Sequence, residues 1–290
     1  MVEVRESHVS TLPSVPGEAV PGTVTAMEGY DATTYGRAFA DVYDDWYEGI
    51  TDTAATVAVI TDLALTVEGR HAGTPARVLE LGVGTGRLAL PLADDDRLRV
   101  VGIDASGPML TRLAERDTDG RVTTVLGDMV DDLPDGPFEL VFVAYNTLFN
   151  ITAEGGQQRC FDAVAARLAP GGRFVVEAFI PDEPPRDGDD ITIRSMTADR
   201  VVLSVSRRDG ARQLAEGHFV ELTDGAPVRL RPWSIRYATP QQLDEMADVS
   251  GLVLESRWAD MAGTPISDDD DRHVTVYRRV RHDLGTGSED

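Results

Sequence analysis

The stretch Val78-Leu79-Glu80-Leu81-Gly82-Val83-Gly84-Thr85-Gly86-Arg87, followed about twenty residues later by Asp104, restricts what this chain can fold into more than any other feature. An apolar run, glycines at alternate positions, an apolar helix and a second apolar run ending in an acid read as strand, tight turn, helix and parallel strand. That unit cradles a nucleoside cofactor at the carboxyl edge of a parallel sheet. Glycine-rich loops also occur in turns that hold nothing, so the remaining residues have to arbitrate. A dinucleotide fingerprint spaces its glycines G-x-G-x-x-G and presents a helix N-terminus to a pyrophosphate. Here the spacing is Gly82, Gly84, Gly86, with Glu80 just upstream. A carboxylate in that place repels a pyrophosphate but accepts from an ammonium, so the loop suits a zwitterionic amino-acid tail better.

The pattern continues on both sides. Tyr35, Phe39, Tyr43, Trp46 and Tyr47 recur at helical spacing, residues 51–69 read as an apolar helix, and Gly73-Thr74-Pro75 leads into a strand at 77–81. Helices at 86–93, 107–116 and 154–168 then alternate with strands at 99–103, 121–126, 138–143 and 173–179. This alternation predicts a parallel sheet covered on both faces. Between 190 and 238 the period changes to that of strands, with Asp209-Gly210 and Asp224-Gly225 as hairpin signals. A helix at 240–250 and strands at 252–258 and 273–280 complete the main sheet. The predicted fold class is α/β: a doubly wound, seven-stranded, mostly parallel Rossmann-like sheet with a small inserted antiparallel β-sheet. The expected organisation is a flexible segment 1–26, a helical lid 27–70, a core of 71–182 and 239–282, an insert 183–238 as substrate lid or dimer contact, and a disordered tail 283–290.

Composition excludes several chemistries. All 27 cationic Lys and Arg positions are arginine, so lysine Schiff bases and P-loop lysines are absent, and the bias fits a GC-rich genome. A net charge of −23 disfavours nucleic acid as a partner. The single cysteine, Cys160, excludes an internal disulfide and cysteine-rich metal clusters; no metal is expected, and the Asp268–Asp271 run reads as a solvated loop. No apolar run reaches membrane length and the start lacks a signal-peptide pattern, so the expectation is a soluble cytoplasmic protein with no membrane partner.

Taken in order, these motifs resemble those of the class I S-adenosylmethionine-dependent methyltransferases over about residues 30–280, and in architecture the branch acting on glycine and amino sugars. Glu80 to Gly86 is similar to the family's first motif, and Val101-Gly102-Ile103-Asp104-Ala105-Ser106 with Met109-Leu110 to its second. Gly127-Asp128-Met129, the turn after the fourth strand and Leu168-Ala169-Pro170-Gly171-Gly172 complete the series. The resemblance implies S-adenosyl-L-methionine as cofactor. Backbone at Gly82, Gly84 and Gly86 would approach it, Glu80 would hold the methionine ammonium, and Asp104 the ribose hydroxyls. Ala105 and Met109 would cover the adenine, with Asp128 on its amine and Met129 on its ring; both methionines read equally as core. Tyr35, Tyr43, Trp46 and Tyr47 would form a lid, with Arg87 or a tyrosine hydroxyl on the methionine carboxylate, although an ordinary amphipathic helix has the same pattern.

The acceptor end is expected at the turn Ala144-Tyr145-Asn146-Thr147, with Tyr145 beside both cofactor and acceptor. Asn146, Phe149, Glu177 and Arg236 are the candidate substrate contacts, and His218 on the insert the candidate base. His71 sits in a linker and His273 begins a late strand; His8 and His282 fall in the terminal segments. The chain lacks the Asn/Asp-Pro-Pro-Tyr/Phe signature of many methylators of nucleic acids and proteins. The expected activity is methyl transfer to an N or O atom of a small molecule, a bacterial specialised metabolite or a sugar, by a possible homodimer. A nicotinamide-dependent oxidoreductase and a non-methylating S-adenosylmethionine-binding protein remain as alternatives.

Overall fold

The computed structural model of the protein describes residues 27–47, 49, 52–71 and 73–280. The segments expected to be flexible, 1–26 and 283–290, lie outside these residues, as do His8 and His282.

Two short helices, α1 (Thr34–Phe39) and α2 (Tyr43–Tyr47), precede α3 (Thr53–Leu65). The single aromatic helix expected from the spacing is thus broken between Phe39 and Tyr43. Then follow β1 (Ala76–Leu81), α4 (Ala89–Ala93), β2 (Leu98–Asp104), α5 (Gly107–Arg116), β3 (Thr123–Leu126), β4 (Phe138–Val143), α6 (Gly156–Arg167) and β5 (Leu168–Phe179). Four strands come next, β6 (Gly188–Met196), β7 (Arg200–Asp209), β8 (Leu214–Thr223) and β9 (Arg229–Arg236). The chain closes with α7 (Pro240–Val249), β10 (Leu252–Trp258) and β11 (Arg272–Arg279).

The main sheet has the order β10-β11-β5-β4-β1-β2-β3, and only β11 runs against its neighbours. Strand order reverses between β1 and β4, which opens a crevice at their carboxyl ends where ligands bind in such sheets. Successive residues of a buried strand serve opposite faces. Val78 packs with Ile60, Leu88 and Leu92 of α3 and α4, whereas Leu79 packs with Phe161 and Leu243 of α6 and α7. Pro170-Gly171-Gly172 ends no strand: the β5 pairing skips from Leu168 to Arg173 around it. A Cβ on Gly172 would sit 2.9 Å from the Ala169 carbonyl oxygen, so this tight excursion has room only for glycine.

Strands β6 to β9 form a separate four-stranded antiparallel sheet inserted between β5 and α7. By its register, one face carries Val202, Phe219, Arg231 and Trp233, and the other Ile191, Ile193, Val205, His218 and Leu230. The second face of this insert, which was expected to serve as substrate lid or dimer contact, leaves Ile191 69% and Ile193 60% exposed.

A polar network lies under the far end of the main sheet. His273, wholly buried, shares a 2.8 Å hydrogen bond between its Nδ1 and Thr275 Oγ1, while Arg257 donates to Thr275 and Asp244, and Tyr277 donates to Asp244. Burial, reinforced by the Arg257 charge, lowers the His273 pKa from 6.5 to about 4. The unfolded chain therefore takes up this proton first as pH falls, so the stability that His273 contributes declines between pH 6.5 and 4 and levels off below. The stability difference between wild type and His273→Gln, followed by denaturant unfolding across that window, is expected to move against the wild type by on the order of 3 kcal/mol as pH falls.

Candidate active site

The crevice at the strand reversal deepens into a cavity of about 270 Å³. Asp104 organises it. Its Oδ2 accepts from the Gly84 N–H at 2.8 Å and its Oδ1 from the Ser106 N–H at 2.8 Å, which ties the end of β2 to the glycine loop and to the start of α5. Burial raises the Asp104 carboxyl pKa, against the two backbone N–H groups that lower it. Each oxygen keeps a lone pair for a further donor. Gly84 adopts φ +56° and faces open space; a Cβ there would meet nothing nearer than Tyr43 Cε1 at 4.0 Å. Gly86 differs: a Cβ there would meet Leu113 at 2.9 Å and Leu90 at 3.1 Å, so this glycine serves helix packing and not ligand approach.

Of the residues expected around a cofactor, Tyr35, Tyr43, Gly82, Gly84, Asp104, Ala105, Met109, Asp128 and Met129 line this cavity. Glu80 lies beneath the loop, 5% exposed, with its Oε2 buried and without a hydrogen-bond partner. Burial drives its carboxyl up to about 8, opposed by the Arg87 charge. Arg87 lines a neighbouring cleft with Tyr43 and Tyr47. Tyr47 shares a 2.9 Å hydroxyl–hydroxyl bond with Tyr35, and its ring meets Tyr145 edge-on at 5.7 Å. Ala144 is buried in the core on the α3 and α4 side.

Four expectations are corrected. Trp46 turns away from the cavity and packs on the inserted sheet against Phe219, with the Arg194 guanidinium 4.8 Å above its ring. His218 lies on the opposite face of that sheet from Phe219, because adjacent strand residues alternate, and is absent from the cavity wall. Phe149 is wholly buried, packed edge-on to Phe179 at 5.1 Å, and offers no surface to a substrate. The Arg236 guanidinium is spent on the Thr152 and Arg212 carbonyls, both at 2.8 Å, fastening the insert to the loop before α6.

Tyr145, Asn146 and Glu177 meet in a second cleft with Phe179 and Arg272. Tyr145 and Asn146 hold the left-handed backbone, φ +48° and +63°, which costs about 1–3 kcal/mol per residue. Three hydrogen bonds secure it: Tyr145 N–H to Glu177 Oε2 at 2.9 Å, Asn146 N–H to the Glu177 carbonyl at 3.0 Å, and Phe179 N–H to Asn146 Oδ1 at 2.7 Å. The Tyr145 hydroxyl is shifted upward, chiefly by burial, and stays protonated. Sequence reasoning missed Tyr30, Asp31, Asn150 and Arg159 in the cavity wall. Asp31 was findable, since its carboxylate accepts from Thr33 and Thr34 as a turn residue ahead of α1; the others show no local signal.

The donor set fits a nucleoside with a charged amino-acid tail: an acid with spare lone pairs at a ribose position, and a buried carboxylate with one oxygen unpartnered. Fold and cavity together define a Rossmann-like protein built for such a cofactor. The chain matches the methyltransferase domain model over residues 78–172. It is 32% identical over 193 residues to the cypemycin N-terminal methyltransferase of a Streptomyces species, a match that spans 65% of this chain and 77% of that protein. The CcbJ methyltransferase of Streptomyces caelestis is similar at 36% identity and a TM-score of 0.76, over 87% of this chain and 100% of the other. CalS10 of Micromonospora echinaspora, an amino pentose methyltransferase solved with its cofactor, shares the fold at 21% identity and a TM-score of 0.60, over 82% and 97% of the two chains. The chain belongs to the S-adenosylmethionine-dependent methyltransferases, and S-adenosylmethionine is its cofactor. The nicotinamide alternative falls with that membership.

Without cofactor, the native state holds the Glu80 proton up to about pH 8, whereas an unfolded glutamate loses it near 4.5. The resulting stability is full below 4.5 and is lost as pH rises through 8. An ammonium beside Glu80 would reverse that preference. Calorimetry at pH 7 in buffers of different ionisation enthalpy is therefore expected to show release of about one proton on cofactor binding. Glu80→Gln is expected to bind more weakly and release none.

Proposed function

We propose that this enzyme transfers a methyl group to an amine nitrogen of a small molecule, a specialised metabolite or an amino sugar. The observation that carries the reading is the strained turn after β4. Tyr145 and Asn146 are locked onto Glu177 at the carboxyl end of the sheet, beside the lid tyrosines that wall the cofactor cavity. The cypemycin enzyme, an N-terminal methyltransferase by name, supports nitrogen as the acceptor.

Bound S-adenosylmethionine supplies a methyl carbon on a sulfonium sulfur, open to in-line attack, so the protein contributes alignment and exclusion of water. Asp104 would hold the ribose hydroxyls and Asp128 the adenine amine, with Met109 and Met129 against the ring. Glu80 would face the ammonium of the amino-acid tail, and Tyr35 and Tyr43 would close over it. At the other end Glu177, 7% exposed and already engaged by the Tyr145 N–H, and Asp271 outnumber Arg272 in a cleft that Tyr145 and Phe179 also line. That combination favours a cationic amine on arrival. An amine needs no side-chain base to become a nucleophile once neutral; its proton passes to water. Among the described residues no histidine lines either cleft, in keeping with an acceptor of this kind.

Incubation with methyl-labelled S-adenosylmethionine and a panel of small amines and alcohols is expected to place label on nitrogen. Label on oxygen alone overturns the proposal. Glu177→Ala is expected to lower kcat/KM by about a hundredfold by releasing the turn, with cofactor affinity unchanged, while His218→Ala keeps full turnover.

A further inference from the structure

The lid touches two bodies. On the core side, Thr85 Oγ1 of the glycine loop donates to Asp44 Oδ1 of α2 at 2.6 Å, and Gly36 of α1 lies so close to α5 that a Cβ would stand 2.3 Å from that of Ser106. On the insert side, Asp41 lies between α1 and α2. Arg231 of β9 grips both its oxygens, Nη1 to Oδ1 at 2.6 Å and Nη2 to Oδ2 at 3.1 Å, and Nη1 also donates to the Ala38 carbonyl. Arg229 adds a 2.6 Å bond to the same carboxylate.

This clasp is built, not incidental. The Arg231 side chain is 4% exposed and is held from behind by Glu221 at 3.1 Å, which Arg200 pairs in turn at 2.8 Å. A planar guanidinium matches a carboxylate with two parallel bonds, which fixes orientation as well as distance. Three guanidiniums surround the Trp46 ring, Arg194 at 4.8 Å, Arg231 at 5.5 Å and Arg200 at 6.0 Å. From the clasp a short relay of rings reaches the reaction end. Phe39 stacks on Tyr35 at 4.3 Å, Tyr35 bonds Tyr47, and Tyr47 meets Tyr145.

We propose that Arg231 is a positioning residue: by clasping Asp41 it seats the N-terminal lid in the one register that brings Tyr35 over the cofactor and Tyr47 against the acceptor turn. The lid and the inserted sheet then close as one unit, and the insert shapes the cofactor site without touching the cofactor. This rests on the cavity as the S-adenosylmethionine site but not on the nature of the acceptor.

The test reads binding of S-adenosylhomocysteine by calorimetry, melting temperature, and hydrogen exchange of the amides of residues 34–47. Variants are made on the lid side, where Asp41 is partly exposed, so the buried arginine keeps Glu221. Asp41→Asn is expected to weaken binding by about tenfold and to speed exchange in 34–47 alone, with the melting temperature almost unchanged. Asp41→Glu is expected to restore most of the affinity. Unchanged affinity and exchange in Asp41→Asn overturn the proposal. So does a loss of affinity that merely tracks melting temperature with exchange raised across the whole chain. Absence of amine methylation by the wild type would sink the acceptor assignment and leave this measurement standing.

Discussion

Everything at the site depends on one carboxylate accepting two backbone N–H groups. Asp104 closes the glycine loop onto the end of β2 through Gly84 and sets the first residue of α5 through Ser106. It acts beside the Gly82 and Val83 N–H groups, which donate to the Ile103 carbonyl, to fix a loop of left-handed glycines that has no preferred shape of its own. The same interaction keeps an anionic group facing the cavity despite burial that disfavours the charge, since fixed N–H dipoles offset part of the desolvation. A side chain that shapes the loop is thus also the one placed to receive the ribose.

Around that centre two sheets share a thin helical joint. The parallel sheet supplies the cavity, the antiparallel sheet supplies the Arg229 and Arg231 anchors, and α1 and α2 bridge them through Asp44 on one side and Asp41 on the other. Aromatic packing accompanies these polar contacts, with Phe39 and Trp46 edge-on to Phe219. Packing can be satisfied by many small rearrangements, whereas a two-pronged ion pair admits one.

The fold was legible because its signals are local and periodic. Strand runs such as Phe138 to Val143 are apolar at every position but Glu139, as suits strands buried on both faces, and the glycine turns mark where they end. The acids Asp104 and Asp128 were legible for the same reason, since strand ends can be counted. The side-chain roles within the lid and the insert were not. Trp46 and Tyr43 are three residues apart on a short helix, yet one serves the inserted sheet and the other the cavity. His218 looked useful because histidine carries chemistry, but strand parity relative to Phe219 decides which way it points, and parity needs a register that no single strand contains. Arg236 and Phe149 became structural through partners on distant segments, which local pattern cannot supply.

The two clefts share no lining residue. The first is bordered by the exposed Asp31 and Asp131, at the end where adenine would lie, and the second by Tyr145, Phe179 and Arg272. A substitution in one wall therefore leaves the other intact, so the two clefts can be reshaped independently.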